Sequence, residues 1–189
     1  MKTKRNVTSV VMTFVLLFSV AIFAQSIEKT VQVGGAPMYP NKNIVENAVN
    51  SKDHTTLVAA VKAAGLVETL QSKGPFTVFA PTNAAFDKLP KGTVETLLKP
   101  ESLKTLQTIL TYHVLAGKFS SVDIVEAIKA GKGKAEFKTV SGGKFTAMLK
   151  GKDVILTDEN GGKSKVTIAD VNQSNGVIHV VDAVITPKS

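Results

Sequence analysis

The side chains best suited to chemistry in this sequence are its three histidines, His54, His113 and His179. Imidazole can serve as a general base or as a metal ligand. The three residues are far apart in the chain and lack the short spacings typical of a metal site. None stands in a pattern that names a nucleophile, which a general base would need. The chain also has no cysteine, which excludes thiolate chemistry. We therefore expect no catalytic centre, no metal site and no cofactor.

A second candidate is the stretch GPFTVFAPTNAAF, residues 74–86, in which an apolar strand runs into a helix. A helix start can bind an anion. This one lacks the glycine-rich loop and the following lysine of a phosphate-binding loop. Thr82 and Asn83 are instead typical capping residues, because their side-chain oxygens accept hydrogen bonds from the first N–H groups of a helix. We predict that this turn is part of the scaffold.

Two strands with apolar residues on both faces are predicted to form the centre of the fold. In the first, Phe76 and Phe79 point to opposite faces, and Phe86 follows in the apolar face of the next helix. The second is GVIHVVDAVITP, residues 176–187. A strand that is apolar on both faces is buried on both sides, so we expect these two strands to pair.

His179 and Asp182 lie on opposite faces of this second strand and cannot act directly on each other. Each is predicted to belong to its own hydrogen-bond network. An ionised Asp182 in a dry core would be costly unless paired. We therefore expect a buried hydrogen-bond donor beside it.

The remaining residues divide into a helical first part and a β-rich second part. Apolar residues recur at helical spacing between residues 44 and 131. Short β-type runs separated by turn residues follow, at residues 135–140, 144–149, 154–157 and 165–171. This order predicts an α+β fold in a single domain, residues 44–187, after a flexible polar connector at residues 25–43.

Tyr112 and His113 belong to a helix predicted to begin at Pro100–Glu101 and to carry an apolar stripe as far as Val114. His113 lies on that stripe, which favours a buried or half-buried imidazole bonded to a backbone carbonyl or a polar side chain. Tyr112 lies in an adjacent sector and is expected to be partly exposed. Because tyrosine is enriched at interfaces, it is the better candidate for contact with a partner.

Residues 1–24 have the features of a secretory signal: a basic start, an apolar run over residues 10–23, and a small residue, Ala24, at the predicted cleavage point. The apolar run is shorter than the roughly 20 residues of a membrane-spanning helix. We expect a secreted protein, extracellular or periplasmic, with no transmembrane segment after signal removal. An uncleaved N-terminal anchor is the alternative.

The formal net charge of the whole chain is +8, and removal of residues 1–24 takes away three basic residues and no acidic ones. The remaining charge is modest and spread out, which argues against a nucleic-acid-binding protein. Eight lysines lie in the β-rich part, at positions 132, 134, 138, 144, 150, 152, 163 and 165. Such residues usually keep strand edges soluble and unpaired; contact with acidic polysaccharide or anionic lipid is the alternative.

Three segments together resemble the signature motifs of the fasciclin-like (FAS1) domain. Two of them, GPFTVFAPTNAAFDKLP (residues 74–90) and NGVIHVVDAVITP (residues 175–187), are similar to its two signature boxes. The third, LQTILTYHVLAG (residues 106–117), is similar to its tyrosine–histidine segment. The resemblance covers about residues 43–187, and three motifs in the family's order make it specific.

The resemblance implies a FAS1 fold, with wedge-like β-sheets and a cluster of helices packed on one side. It also implies a secreted, non-catalytic adhesion module that contacts extracellular matrix, cell envelope or a protein partner. The sequence does not give the oligomeric state, and a monomer is favoured. Several animal members use the tyrosine–histidine segment in integrin binding, and this maps onto Tyr112 and His113 as partner-binding residues. The alternative function is an envelope polysaccharide or small-ligand binding protein that uses the lysine-rich face.

Overall fold

A computed structural model describes residues 30–188 of the chain. The predicted signal peptide, residues 1–24, and the first five residues of the predicted connector lie outside these described residues. Within residues 30–188, no helix combines the length and the apolar character needed to cross a bilayer.

Seven helices and nine strands make up the described part of the chain. The helices are α1 (Ile44–Ala48), α2 (Thr55–Ala63), α3 (Val67–Gln71), α4 (Asn83–Phe86), α5 (Thr93–Leu97), α6 (Leu103–Tyr112) and α7 (Ser121–Ala130). The strands are β1 (Val31–Val33), β2 (Ala36–Met38), β3 (Phe76–Pro81), β4 (Val114–Ala116), β5 (Lys134–Lys138), β6 (Lys144–Lys150), β7 (Asp153–Thr157), β8 (Lys163–Gln173) and β9 (Gly176–Val181). Short 3₁₀ turns precede α2 and α6, at Lys52–His54 and Pro100–Ser102.

The predicted pairing of the two apolar strands is confirmed. Strand β3 runs parallel to β9, in a register that places Phe79 beside His179. All six residues of β9 are buried, and so are five of the six residues of β3. The seven-stranded sheet has the order β4-β3-β9-β8-β7-β6-β5, so both strands have neighbours on each side. These two sequence segments therefore lie side by side inside one domain.

Strand β8 gives the sheet its wedge shape. Its first three residues pair with β7, and the residues from Val166 onward pair with β9. Two irregularities interrupt the second pairing, and within the second, between Ile168 and Val171, Asp170 adopts a positive φ of 58°. Bulges of this kind bend a strand and increase its twist. The single long strand thus joins two sheet halves that face each other, and the α+β wedge predicted from the sequence is confirmed.

The hydrophobic core has two sides. Inside the wedge, α7 packs over an aromatic cluster in which the Phe145 ring contacts both Phe79 and Phe137. On the other face of β3 and β9, a second cluster lies under the β1–β2 hairpin and α1. A third cluster, mainly from α2 and α6, lies farther out. The helices that pack on the second side are the cluster predicted from the family resemblance.

Two local predictions were wrong. The segment at residues 30–43 is an ordered hairpin rather than a loose connector, because Val33 and Met38 are buried against the second core cluster. The helix that contains Tyr112 also ends at that residue, and residues 114–116 form strand β4, antiparallel to β3. Over three residues, an apolar stretch fits a helix and a strand equally well. Only the pairing with β3 shows that residues 114–116 form a strand.

Candidate functional site

Tyr112 is fully buried, and the expectation that it is partly exposed was wrong. Its ring belongs to the aromatic core inside the wedge, where it meets Phe145 edge-on at 6.5 Å. Its hydroxyl donates a hydrogen bond to the Lys144 carbonyl at 2.5 Å, and burial raises its pKa to about 12. Gly143 packs directly on the ring, because a Cβ there would lie only 2.9 Å from Tyr112 Cε2. Tyr112 therefore fixes the turn between β5 and β6.

His113 is buried, as its position on the apolar stripe predicted, and both ring nitrogens are occupied. Nδ1 lies 2.9 Å from the Ile109 carbonyl, and Nε2 lies 3.1 Å from the Ile185 backbone nitrogen, which donates to it. These partners require a neutral ring with its proton on Nδ1. Burial lowers the pKa of His113 to about 4. The ring ties the C-terminal segment to the end of α6.

His179 is held in a separate network inside the wedge. Nε2 lies 2.9 Å from the Phe119 carbonyl, and Nδ1 accepts a hydrogen bond from the Asp170 backbone at 3.3 Å. The ring stacks on Phe79 with centroids 5.4 Å apart. Burial lowers its pKa, so the neutral ring is favoured. The structural role predicted for this residue agrees with these contacts.

Asp182 does not lie in a dry core. It follows the end of β9, its side chain is 40% exposed, and it pairs with Lys88 across 3.4 Å. Its other oxygen accepts a hydrogen bond from the Lys165 backbone at 2.8 Å. The predicted donor exists, but it serves a half-exposed carboxylate, because the strand ends at Val181, before Asp182, whereas the apolar pattern continues to residue 187.

Thr82 and Asn83 cap two different helices. Thr82 caps α4, since its hydroxyl oxygen accepts from the Ala85 N–H at 3.2 Å, as predicted. Asn83 faces the start of α2 instead: its oxygen accepts from the Thr56 backbone at 3.0 Å, and its amide donates to the Lys52 carbonyl at 2.9 Å. The turn after β3 thereby anchors the start of a helix that precedes it in sequence by about thirty residues.

The remaining predicted scaffold residues lie in or beside the core. Phe86 is buried on α4, and Phe79 is buried inside the wedge. Phe76 is half-buried and packs against the second core cluster.

His54 occupies a third buried position, on the helical side of the sheet. Its Nδ1 lies 2.8 Å from Ser51 Oγ. The three histidines thus belong to separate networks. Within residues 30–188, no group of three or more histidine, aspartate or glutamate side chains lies close enough to hold a metal ion.

Asn175 is a positioning residue that the sequence patterns did not reveal. It is buried, accepts a hydrogen bond from the Ile44 backbone at 3.0 Å, and donates to the carbonyls of Leu70 and Ser72 at 2.8 Å each. It therefore joins α1 and α3 to the start of β9. An asparagine followed by glycine is a common turn signal, and only its burial distinguishes this one.

The lysines predicted to protect strand edges are mostly on a sheet face instead. Only β5 is an edge strand among β5–β8, and it carries Lys134 and Lys138. Alternation along β5–β8 puts six lysines on the outer face, at positions 134, 138, 144, 150, 163 and 165. Two acidic residues share this face: Glu136 pairs with Lys144 at 2.9 Å, and Asp153 pairs with Lys165 at 2.6 Å.

The other four lysines of this face, which we call the basic face, have no acidic partner within 4 Å in the described part of the chain. Lys150 and Lys163 border an open groove of about 440 Å³ whose floor includes Met148 and Ile155. A surface of this kind combines positive charge with apolar contact area.

Comparison with known proteins gives consistent results. The family model for the Fasciclin domain matches residues 52–187. Protein sll1483 from Synechocystis sp. is 45% identical over 163 residues, which cover 86% of this chain and 83% of that protein. Immunogenic protein MPB70 from Mycobacterium bovis is 36% identical over 145 residues, which cover 74% of this chain and 66% of that protein.

Among solved structures, the FAS1 domain pair of the insect cell adhesion molecule fasciclin I superposes on this chain with a TM-score of 0.67. The superposition covers 83% of this chain and 57% of the insect chain, at 17% sequence identity. At that identity the likeness establishes the fold and nothing further.

Proposed function

Because this chain belongs to the Fasciclin domain family, we propose that it is an exported, non-catalytic module that attaches to a macromolecule of the extracellular matrix or cell envelope. One solved structure with this fold comes from a protein named as an insect cell adhesion molecule. The observation that carries the non-catalytic part of the proposal is that two of the three histidines, His113 and His179, have both ring nitrogens bonded inside the protein. The third, His54, is held in a separate buried network. Export rests on the signal pattern of residues 1–24.

Neither Tyr112 nor His113 reaches the surface with its side chain. Tyr112 contributes to attachment by positioning a surface turn, whereas His113 holds the C-terminal segment at Ile185. The turn comprises residues 139–143, which we call the β5–β6 turn. Its Val140 N–H donates to the Val114 carbonyl at 2.8 Å, and Tyr112 holds its far end. Val140 is 48% exposed at the tip, so it is available to a partner.

The test compares three forms of the mature protein: wild type, Val140→Asp and the matched control Val122→Asp. Val122 is 61% exposed on α7, away from the turn. Each form is immobilised on a biosensor and exposed to extracellular material of the producing organism, separated into protein and polysaccharide fractions. We expect retention by wild type and by Val122→Asp and much weaker retention by Val140→Asp. Equal retention by all three forms would exclude the β5–β6 turn, and no retention by any form would exclude the attachment function.

A second candidate function is the binding of acidic polysaccharide by the basic face. The gathering of six lysines on one sheet face favours it, since edge protection accounts only for Lys134 and Lys138. Four of the six have no acidic partner in the described structure and are free to bind anions. Attraction between exposed charges is screened by salt, so this binding must be salt-sensitive.

Alginate, a polyuronate, is a suitable probe for the basic face. We expect it to bind at 0.05 M salt and to be released at about 0.5 M, where the screening length is only about 4 Å. The double variant Lys150→Glu/Lys163→Glu should lose binding, whereas Lys62→Glu/Lys129→Glu, the same charge change on helices α2 and α7, should keep it. Equal loss in both double variants would indicate attraction to net charge alone and would overturn a dedicated site.

A further inference from the structure

A cavity with an apolar wall lies between the helices and the second face of the sheet. Its volume is about 90 Å³, and it is partly open to solvent. Residues from α2 and α3, including Leu57, Val67 and Leu70, form one wall, and Val78 and Ile178 from the central strands form the other. Leu57 and Leu70 lie at the margin of both the second and the third core cluster. The cavity therefore lies between the second and the third core cluster.

One polar atom in the wall of this cavity has no partner. His54 is only 3% exposed and lines the cavity, yet its Nε2 makes no hydrogen bond with any described residue. The Ala80 carbonyl lies near enough to the ring to raise its pKa, but it does not meet Nε2 with the distance and angle of a hydrogen bond. Buried polar groups are nearly always hydrogen-bonded, and an unmade bond costs free energy. His54 Nε2 is therefore available for a hydrogen bond with a ligand in the cavity.

The imidazole is held in this orientation by several buried contacts. Ser51, itself only 2% exposed, bonds to Nδ1 at 2.8 Å. The glycine turn between β1 and β2 packs against that serine, since a Cβ on Gly34 would overlap Ser51 Oγ. The Lys52 N–H donates to the Gly34 carbonyl at 3.2 Å, and Asn83 binds the Lys52 carbonyl. The free nitrogen is therefore presented by a rigid support.

Water fits this position poorly. A buried water needs two to four polar partners, and nearly all of the cavity wall is apolar. Of the nearby polar atoms, Ser51 Oγ already bonds to His54, and both nitrogens of His113 are occupied. A group that brings one hydroxyl and a hydrocarbon chain satisfies the nitrogen and the apolar wall together.

We propose that this cavity binds a small aliphatic alcohol, with its hydroxyl on His54 Nε2 and its hydrocarbon chain among Leu57, Val67 and Leu70. A hydroxyl can donate or accept, so it suits either tautomer of the ring. The cavity volume of about 90 Å³ is about three times the volume per water molecule in the liquid, enough for a short chain. A longer chain extends along the cavity toward its open side.

A carboxylate is a poorer ligand for this nitrogen. Burial lowers the pKa of His54, and the Ala80 carbonyl and the Asp53 charge only partly oppose the effect, so the ring is neutral near pH 7. Lys62 lines the cavity but is itself exposed, so it can reach an anion only near solvent. A carboxylate on His54 would have to lose its hydration without gaining a cation.

The test uses 1-hexanol, hexanoate and n-hexane as probes of the mature protein at pH 7.5, with binding followed by NMR chemical shifts. We expect 1-hexanol to shift signals of His54, Leu57 and Leu70 and to bind more tightly than hexanoate. Replacement of His54 by Leu should weaken 1-hexanol binding about tenfold, the effect of one hydrogen bond, while n-hexane binding is kept. In the Ser51→Ala control, Nε2 remains, so 1-hexanol binding should fall less than in His54→Leu.

A second pair of variants keeps the test decisive if the His54 variant does not fold. Val67 is only half-buried on α3, so Val67→Phe should be tolerated and should fill the cavity, abolishing binding of both 1-hexanol and n-hexane. Val122→Phe, on the exposed face of α7, should change nothing. Three results would each overturn the proposal: unchanged 1-hexanol binding in Val67→Phe, tighter binding of hexanoate than of 1-hexanol, or 1-hexanol shifts confined to residues outside the cavity.

Discussion

Acidification should destabilise this protein through His113, and the size of the effect follows from its buried position. In the unfolded chain an imidazole titrates near 6.5, whereas in the folded protein burial lowers the pKa of His113 to about 4. Between these values the unfolded chain binds a proton that the folded protein does not, so stability falls as pH falls. At about 1.4 kcal/mol per pH unit, this separation is worth about 3 kcal/mol. The contribution is complete above pH 6.5 and is lost as the pH falls toward 4.

The assay is urea unfolding followed by circular dichroism at a series of pH values, in wild type and in His113→Gln. Most of the effect, about 2–3 kcal/mol, falls between pH 7.5 and 4.5, and the variant should lack this part of the slope. Because burial also lowers the pKa of His54 and of His179, a slope of the same sign should remain in the variant. Parallel stability curves for the two proteins, or an NMR titration of His113 with a midpoint near 6.5, would refute this reasoning.

Three further outcomes test the scaffold. Tyr112→Phe removes only the hydrogen bond to the Lys144 carbonyl and should lower the unfolding free energy by about 1 kcal/mol. Tyr112→Ala empties a fully buried site and should lower it by about 3–5 kcal/mol. Equal melting temperatures for wild type and Tyr112→Ala would contradict the buried position. Asn83→Ala removes a side chain that makes hydrogen bonds at the start of α2 and should lower the unfolding free energy by about 1–3 kcal/mol. Thr82→Ala, which removes one helix cap, is the comparison and should lower it by about 1 kcal/mol. If amide exchange in the Asn83 variant is faster in α4 than in α2, the side chain does not act at the start of α2. Gly176→Ala introduces a Cβ that overlaps a backbone carbonyl of β3. It should lower the unfolding free energy, measured by urea unfolding, by about 1–3 kcal/mol. A variant as stable as wild type and with the same spectrum would show that β3 and β9 can move apart.

The central pairing could be predicted because the residue types alone demand it. Strands β3 and β9 carry apolar side chains on both faces, and only a position between other strands buries both faces at once. The capping box of α7, in which Ser120 and Asp123 bond to each other's backbone N–H groups, likewise depends only on two polar residues three positions apart in the chain. Such features depend either on residues that are close in sequence or on the burial of apolar side chains, which every fold must achieve.

The wrong predictions share a different cause. Periodicity placed Tyr112 in an outward sector of its helix, but the direction that counts as outward depends on which layers surround the helix. Here the β5–β6 turn and the aromatic cluster cover that sector, so the tyrosine is buried. The capping role of Asn83 was assigned to the wrong helix for the same reason, since an oxygen at a helix start accepts from whichever N–H group the fold brings near it.

The sequence by itself determined which residues are buried in the central strands and the family to which the domain belongs, because these follow from side-chain chemistry and local spacing. Only the tertiary structure decided which lysines share a face, which turn Tyr112 holds, and where His54 points. Those relations join residues that are distant in the chain, and they depend on how β8 bends and how the helices pack against the sheet.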